Sequence, residues 1–393
     1  MVYQRLTGRL PLFRAGPVAL ESSAPKPLPG ASWARVRVRL AGICGSDLNL
    51  LRLKFSTRSA SLAAKRSIRQ PFCLGHEVVG EVIETGLAVQ SLQPGRRVVL
   101  VPGACCGSIE RTPLCPMCLQ GLPLLCLHRD ASGLPLDAGA GWSDELVRPE
   151  SCLFAVPDKL PDDVAVLVEP LACSVHAVLR RPPAAGDSVV VIGCGVIGLG
   201  MILTLRALGR PLQIIAVARH PSQAARARAA GADTVLEGPV SDLYERLATE
   251  LGTQVCSRGA RNQLLQWGAA VTYDAVGSDE SLGHALRWTR PRGAVVVEGI
   301  TPRPAPLDCT VLWLREVDLL GSHGHGREAF EGRSVHTFQL VLDWLRQGRL
   351  ATDGWVTHRF PLAAFREALR AADDKAGSGA AKVALEFNPE NPG

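Results

Sequence analysis

Hydrophobic and polar residues alternate near the start of the chain and lose this alternation after its middle. Residues 33–43 read Trp-Ala-Arg-Val-Arg-Val-Arg-Leu-Ala-Gly-Ile, which predicts a strand with one buried and one solvated face. Further short strands, separated by glycine and proline, are predicted at 78–85 and 97–101. The first part of the chain is therefore predicted to be mostly β-structure and irregular segments.

After residue 169 the pattern changes to short apolar runs separated by helix-like segments. The runs are 189–192, 214–218, 271–275 and 294–298. Such runs are typical of parallel strands that are covered on both faces. Strands and helices in alternation predict a doubly wound parallel sheet. The fold class is therefore α/β, with a β-rich domain in front of the doubly wound sheet.

One apolar stretch has nearly the length of a membrane span. Residues 188–205 carry no charged side chain, and about 20 apolar residues suffice to cross a bilayer. The stretch also contains several glycines and passes from β-branched residues to a helix-like pattern. These features favour a buried strand, a turn and a helix, so we expect no association with membranes.

Composition places the chain among ordinary globular proteins. Of its 393 residues, 47% are hydrophobic and 20% charged, which excludes disordered and fibrous proteins. The formal net charge of +6 comes with arginines scattered along the chain, so nucleic acid is not an expected partner. The chain has twelve cysteines, and their clustering predicts metal binding in a reducing compartment. Residues 1–14 contain no apolar run long enough for a signal peptide, so we expect a cytoplasmic location.

A glycine-rich turn joins the first of the buried strands to the helix that follows. Gly193, Gly195 and Gly198 form the pattern G-x-G-x-x-G. Between a strand and a helix, this pattern predicts a dinucleotide site with the phosphates at the helix N-terminus. Val196 and Ile197 belong to the same turn and would approach the phosphates.

The end of the next strand bears on the choice between NAD and NADP. NAD-specific sites place an acidic residue there to accept a hydrogen bond from the ribose 2′-hydroxyl. Here the strand ends in Ala218, Arg219 and His220. Because arginine pairs well with phosphate, the sequence favours NADP. The alternative is a solvated Arg219 and a site that accepts either cofactor.

Five clustered cysteines have the spacing of a structural zinc loop. Cys115, Cys118 and Cys126 follow the pattern C-x2-C-x7-C, and Cys105 or Cys106 would supply the fourth thiolate. Tetrahedral four-cysteine sites bind zinc and leave no position open for a substrate. The loop is therefore predicted to hold a structural ion.

A second set of ligand-type residues is spread along the chain. Cys44 lies in Gly-Ile-Cys-Gly-Ser-Asp, His76 and Glu77 in Gly-His-Glu, and Glu169 in Glu-Pro-Leu. One thiolate, one imidazole and one carboxylate make a zinc site that leaves a position for water or substrate. Asp47 is suitably placed to orient a ligand histidine.

Together these segments resemble the zinc-dependent medium-chain dehydrogenases and reductases. The matching segments follow the family's order over nearly the whole chain: residues 42–47, 75–77, the cysteine cluster, 141–145, 169–172, the glycine turn, 273–277 and 357–360. The Glu-Pro-Leu segment is similar to the sorbitol and threonine dehydrogenase branch. The resemblance implies a GroES-like domain over 1–173, with the zinc loop at 105–126. It also implies a Rossmann domain over 174–321, a return to the first domain over 322–393, and a homodimer or homotetramer.

The resemblance also implies roles for individual residues. Cys44, His76 and Glu169 would bind a catalytic zinc, Glu77 would be a nearby or exchanging ligand, and Ser46 would relay the substrate proton. Further cofactor contacts would come from these residues: Val276, Gly277, Gly299, Ile300 and, near the phosphates, Lys382.

Two segments depart from the family pattern. Thr112 stands where the first structural zinc ligand is expected. Cys106, which precedes a glycine as that ligand does, is favoured over Cys105. The segment 52–70 is longer than usual and basic. It is either a solvated loop or a rim that selects anionic or bulky substrates.

The predicted reaction is the reversible oxidation of an alcohol to a ketone or aldehyde with NAD(P). The partner would be a small-molecule alcohol or carbonyl compound that the sequence does not name. Two alternatives are a reductase of C=C or imine bonds on the same fold and a catalytically silent cofactor-binding protein. The serine at position 46 and the complete ligand set favour the dehydrogenase.

Overall fold

The chain folds into two compact units. A computed structural model describes residues 2–4, 18–20, 27–52, 74–103, 105–128, 140–257, 259, 262–299 and 306–387. One unit comprises Met1–Glu169, His325–Arg346 and Thr352–Gly393, and the other comprises Pro170–Gly324 and Gln347–Ala351.

The first unit is built on a seven-stranded, mainly antiparallel sheet. The strands of this unit are β1 (Val2–Gln4), β2 (Val18–Leu20), β3 (Trp33–Gly42), β4 (Glu77–Thr85), β5 (Arg97–Leu100), β6 (Glu145–Pro149), β7 (Leu153–Ala155), β16 (Arg327–Phe330), β17 (Arg333–His336), β18 (Val356–Pro361) and β19 (Lys382–Glu386). The main sheet has the order β18-β19-β3-β4-β5-β7, with β6 also paired to β3. The helices are α1 (Gly45–Leu51), α2 (Pro116–Leu119), α3 (Asp162–Ala165), α10 (Thr337–Arg346), α11 (Phe365–Asp373) and α12 (Lys375–Ser378).

Strand β3 has the alternation predicted from the sequence. Val36, Val38 and Leu40 are buried, whereas Arg37 and Arg39 are exposed. The buried face joins α1 and α11 in one hydrophobic core. This packing fixes the end of β3 and the start of α1, where the first candidate metal ligand lies.

The second unit is a doubly wound parallel sheet, as the sequence predicted. Its strands are β8 (Ser188–Ile192), β9 (Gln213–Ala218), β10 (Thr234–Glu237), β13 (Ala269–Asp274), β14 (Thr289–Val297) and β15 (Asp318–Gly321), with a separate hairpin of β11 (Val255–Ser257) and β12 (Gln263–Leu265). Its helices are α5 (Val196–Ala207), α6 (Pro221–Ala229), α7 (Tyr244–Glu250), α8 (Asp279–Trp288) and α9 (Thr310–Arg315), and α4 (Val168–Arg180) begins at the boundary of the two units. The order is β10-β9-β8-β13-β14-β15. From β8 the chain adds strands first on one side, as β9 and β10, and then on the other side, as β13, β14 and β15. Parallel sheets bind ligands at the point where the order of strands changes side, which here lies between β8 and β13.

The apolar stretch 188–205 is a strand, a turn and most of a helix. Strand β8 ends at Ile192, and α5 begins at Val196. No helix in the described part of the chain is long and apolar enough to cross a membrane.

Candidate functional site

Cys44 lies at the N-cap of α1, directly after β3. Its backbone N–H donates a 3.0 Å hydrogen bond to Oδ2 of Asp47, which is buried. A carboxylate in the first turn is the usual acceptor for a donor left open at a helix start. Asp47 therefore fixes the backbone that carries the Cys44 thiol.

The same aspartate orients His76. Oδ1 of Asp47 lies 3.3 Å from Nδ1 of the imidazole, so in the neutral ring Nδ1 carries the proton and Nε2 presents its lone pair. Oγ of Ser46 lies 3.5 Å from Nε2. Burial opposes a charge on the imidazole, but Asp47 and the Cys44 thiolate outweigh it and raise the pKa of His76 well above its usual value. The ring thus sits in a negative field that favours a cation.

Glu77 forms a buried ion pair with Lys382. Both carboxylate oxygens lie 2.6 Å from Nζ, and the two side chains are 1% and 6% exposed. Glu77 is opposite Gly42 in the sheet, where a Cβ atom would collide with the carboxylate. Burial opposes the ammonium charge, but Glu77 outweighs it and raises the pKa of Lys382. The pair therefore holds two opposite charges inside the protein.

Cys44, His76 and Glu77 each offer one ligand atom, and the three atoms lie within 4.8 Å of one another. Thiolate, imidazole and carboxylate bind zinc at about 2.0–2.3 Å, so this donor set fits one zinc ion. Glu169, in the first turn of α4, is buried and its charge acts on Lys382. Its carboxylate is not among the three ligand atoms that lie within 4.8 Å of one another. The structure thus gathers three of the four predicted ligand residues.

The cysteine loop forms a second group of ligand atoms. The sulfur atoms of Cys106, Cys115, Cys118 and Cys126 lie within 4.8 Å of one another. Sγ of Cys126 is 3.7 Å from that of Cys106 and 3.9 Å from that of Cys115. Zn–S bonds of about 2.3 Å in a tetrahedron place sulfur atoms about 3.8 Å apart. The donor set therefore fits a zinc ion bound by four thiolates.

The electrostatics of the loop is compatible with a bound cation. Backbone N–H groups of Cys118 and Leu127 lower the pKa of Cys115 to about 6. Burial raises the pKa of Cys118. Neighbouring thiols cannot all ionise unless a positive charge compensates them, and zinc would supply that charge.

The structure distinguishes the two candidates for the fourth thiolate. Cys106 belongs to the group of four sulfur atoms and Cys105 does not. The Cys105 sulfur instead forms a hydrogen bond with Cys152, which lowers the pKa of Cys105 to about 5. The geometry therefore groups Cys106, and not Cys105, with the other three cysteines.

The glycine turn has the shape that a phosphate site requires. Gly193 has φ +90°, and a Cβ atom there would lie 2.6 Å from Cγ2 of Val276. Gly195 is the N-cap of α5, which begins with Val196 and Ile197. Gly198 packs directly on the carbonyl oxygen of Gly193. The first N–H groups of α5 are thereby left for an anion.

The loops after β13 and β14 meet beside this turn. Asp274 ends β13, and its carboxylate accepts hydrogen bonds from the N–H groups of Val276 and Gly277 at 2.9 and 3.0 Å. Gly277 packs backbone to backbone on Gly299. Sequence reasoning did not single out Asp274, although it lies in the Tyr-Asp-Ala-Val-Gly segment. Ile300 lies outside the described residues.

Arg219 follows the end of β9 and is exposed. His220 is the N-cap of α6, and no side chain caps this helix start. The first turn of α6 contains no acidic residue. The exposed guanidinium and the positive end of the helix together favour an anion.

Family models match both units of the chain. The model of the alcohol dehydrogenase GroES-like domain matches residues 30–158, and that of the zinc-binding dehydrogenases matches residues 196–344. The chain is a zinc-dependent medium-chain dehydrogenase of the sorbitol type. It is an oxidoreductase that interconverts small-molecule alcohols and ketones with NAD(P).

Several relatives match this dehydrogenase over most of its length. A sorbitol dehydrogenase of Bombyx mori is 31% identical and covers 89% of the chain and 90% of the relative. A sorbitol dehydrogenase of Arabidopsis thaliana is 30% identical, with 92% and 90% covered. L-Idonate 5-dehydrogenase of Vitis vinifera is 29% identical, with 90% and 87% covered.

Solved structures match the same architecture. The alcohol dehydrogenase of Thermus sp. ATN1 superposes with a TM-score of 0.75 at 26% identity, with 98% of this chain and 99% of that chain covered. A zinc-binding dehydrogenase of Sinorhizobium meliloti bound to NADP gives a TM-score of 0.75 at 25% identity, with the same coverage.

The Glu77–Lys382 pair in this dehydrogenase is a feature that sequence reasoning missed. The family resemblance implies separate roles for them, Glu77 near the metal and Lys382 near the cofactor phosphates. In the structure the Lys382 ammonium is buried against Glu77, and its role at the phosphates stays a prediction. Beyond Arg52, the basic segment 52–70 lies outside the described residues.

Proposed function

We propose that this dehydrogenase oxidises a secondary hydroxyl group of a polyol to a ketone, reversibly and with NADP as its preferred cofactor. The observation that carries the proposal is the convergence of Cys44, His76 and Glu77 within 4.8 Å. A polyol substrate is supported by the relatives, which are named sorbitol and L-idonate dehydrogenases.

Cys44, His76 and Glu169 are the proposed ligands of the catalytic zinc, with Glu77 a nearby or exchanging ligand. Bound there, zinc supplies Lewis-acid chemistry at the substrate oxygen. The protein residues prepare the site. Asp47 holds the imidazole in the tautomer that presents Nε2, and Lys382 compensates the charge of Glu77.

Ser46 is the proposed carrier of the substrate proton. Its Oγ lies 3.5 Å from Nε2 of His76, beside the ligand atoms. A hydroxyl group can accept a proton from the substrate and donate its own to the next acceptor. This dual capacity suits an alcohol that loses a proton and a hydride.

The preference for NADP rests on the end of β9. Ala218 cannot accept a hydrogen bond from a ribose 2′-hydroxyl, whereas the exposed Arg219 can pair with a 2′-phosphate. The pyrophosphate would bind the turn at these residues: Gly193, Gly195, Val196, Ile197 and Gly198. Val276, Gly277, Gly299 and Ile300 would contact the remainder of the cofactor.

A second, structural zinc is proposed in the cysteine loop, which makes two ions per chain. We further propose a homodimer or homotetramer in the reducing environment of the cytoplasm. No cysteine in the described part of the chain forms a disulfide, which suits thiolates that bind metal. The oligomer rests on the family resemblance, and analytical ultracentrifugation measures it.

The proposal is tested by metal content and turnover together. The purified protein should contain two zinc ions per chain and reduce NADP with sorbitol-type alditols or aldonates, with a ketone as the product. Cys44→Ser should remove one zinc and abolish turnover while the melting temperature stays close to that of the wild type. Cys309→Ser, at an exposed cysteine outside both clusters, is the control. Full turnover by the Cys44 variant would contradict the assignment.

A further inference from the structure

Trp142 lies between the two chain segments that carry Cys44 and His76. It belongs to the segment 141–145, and its side chain is fully buried, with an exposed fraction of 0%. Cys44 follows the end of β3 and His76 directly precedes β4, so these two ligand residues come from adjacent strand ends. Whatever fixes the spacing of the two strand ends also fixes the distance between the thiol and the imidazole.

The backbone and the ring of Trp142 both hold the segment that precedes His76. The N–H of Gly141 donates a 3.0 Å hydrogen bond to the carbonyl oxygen of Gly75, and the N–H of Trp142 donates one of 2.9 Å to that of Leu74. The indole covers Gly75, where a Cβ atom would lie 2.3 Å from Cδ1 of the ring. Gly75 has φ +88°, which glycine adopts at little cost. The residue next to His76 is therefore held by hydrogen bonds and by close packing.

The indole N–H of Trp142 reaches the segment that precedes Cys44. Nε1 donates a long hydrogen bond, of 3.5 Å, to the carbonyl oxygen of Gly42 at the end of β3. Gly42 lies two residues before Cys44 and is opposite Glu77 in the sheet. A buried indole N–H usually finds a hydrogen-bond acceptor, and here that acceptor lies just before the thiol. One side chain thus contacts the backbone on both sides of the candidate metal site.

A buried serine holds the turn that carries Trp142. Oγ of Ser143 accepts a 3.1 Å hydrogen bond from the N–H of Ala140. The same hydroxyl lies within hydrogen-bond distance of two carbonyl oxygens, those of Ala140 and Glu145. Local hydrogen bonds between a serine and nearby backbone groups stabilise turns. The indole is therefore presented by a turn that is itself fixed.

We propose that Trp142 is a positioning residue that sets the spacing of Cys44 and His76, and with it the zinc affinity and the rate of hydride transfer. This inference rests on the proposed function, in which these two residues bind the catalytic zinc. Trp142 acts through the backbone of the two ligand segments. Loss of groups that orient metal ligands typically lowers metal affinity by about 10- to 100-fold. Misplacing catalytic groups by about 1 Å can lower a rate by about 10²-fold.

The first test measures the affinity for the zinc that Cys44→Ser removes. Trp142→Phe deletes the indole N–H and shrinks the ring that covers Gly75. Trp344→Phe makes the same change at another buried tryptophan of the same unit, in α10. Competition with a chelator should show this zinc bound about 10- to 100-fold more weakly in Trp142→Phe and with wild-type affinity in Trp344→Phe. A purely structural role would lower both melting temperatures and leave both zinc affinities unchanged.

The second test reports on the geometry of the ligands. Cobalt(II) in place of this zinc absorbs visible light in bands that depend on how its ligands are arranged, and Cys44→Ser supplies the background spectrum. Trp142→Phe should shift these bands and lower kcat by up to about 10²-fold, while the Kd of the cofactor stays unchanged. Trp344→Phe should keep the wild-type spectrum and the wild-type kcat.

The outcomes separate this inference from the proposed function. If the wild type binds this zinc and turns over, and Trp142→Phe has the same zinc affinity, spectrum and rate, the inference alone is overturned. Wild-type protein that keeps all its zinc after Cys44→Ser would contradict the proposed zinc site, and the inference with it. Should Trp142→Phe fail to fold, Ser143→Ala loosens the turn and keeps the indole. It should weaken zinc binding in the same direction, and unchanged affinity in that variant would overturn the inference.

Discussion

The two groups of metal-binding side chains are assembled in opposite ways. Cys106, Cys115, Cys118 and Cys126 lie in one short loop, and each offers a sulfur atom. The other group takes a cysteine from a helix start and a histidine and glutamate from the start of β4. This second group depends on the register of β3 with β4 and on Asp47, which contacts both Cys44 and His76. The first group is formed by residues close in sequence, and the second is formed by strand pairing that brings distant segments together.

This difference determines what each group requires of its ion. Four neighbouring thiolates repel one another, so full ionisation of the four cysteines requires the metal. The other group is organised by protein charges, since Asp47 orients His76 and Lys382 neutralises Glu77. We therefore expect the cysteine loop to need zinc for stability, and the second group to keep its arrangement without zinc.

The largest expected effect concerns the cysteine loop. Cys118→Ser should remove the structural zinc, whose binding in comparable small sites is worth about 10–16 kcal/mol. A loss of this order rivals the whole stability of a domain. Zinc content and thermal unfolding check it, with Cys309→Ser as the matched control. A variant that keeps the zinc and the melting temperature would contradict the closed four-thiolate site.

A smaller loss of stability is expected when the buried ion pair is broken. Lys382→Met leaves the Glu77 carboxylate buried without its partner, which costs about 3–5 kcal/mol. Urea unfolding of the zinc-loaded protein measures this loss, because the cysteine loop is expected to need its zinc for stability. Adding Glu77→Gln should restore most of the stability, because the uncompensated charge is then gone. Equal losses in the single and double variants would exclude this explanation.

Ser46→Ala tests the chemistry of the second group without disturbing its ligands. The rate should fall by about 10²–10⁴-fold, the usual contribution of one positioned proton-transfer group. Zinc content and cofactor affinity should be unchanged, because Ser46 is not a proposed ligand of either. Steady-state kinetics with a cofactor titration checks this, and an unaltered rate would remove Ser46 from the mechanism.

The smallest effect is expected at the cofactor site of the second unit. Arg219→Ala should weaken NADP binding by about 10- to 150-fold, the value of one charge-assisted hydrogen bond, and leave NAD binding nearly unchanged. Arg292→Ala, at an exposed arginine near the other end of the parallel sheet, is the control. Titration of both cofactors checks the prediction, and wild-type protein that binds NAD as tightly as NADP would refute it.

The chain by itself determined the features that depend on near neighbours in sequence. The alternation of β3, the turn from Gly193 to Gly198 and the spacing of Cys115 and Cys118 could be predicted. In each case the backbone period or the reach of a loop restricts the outcome to one arrangement. For Cys44 and His76, ligand chemistry and the family resemblance predicted one shared site.

Only the tertiary structure decided which partners meet across the fold. Glu77 and Lys382 are 305 residues apart and become neighbours through the pairing of β4 and β19 with β3. The choice of Cys106 depends on where the loop turns Cys105 towards Cys152. Strand register and helix packing follow from contacts between distant segments, and no local pattern along the chain encodes those contacts.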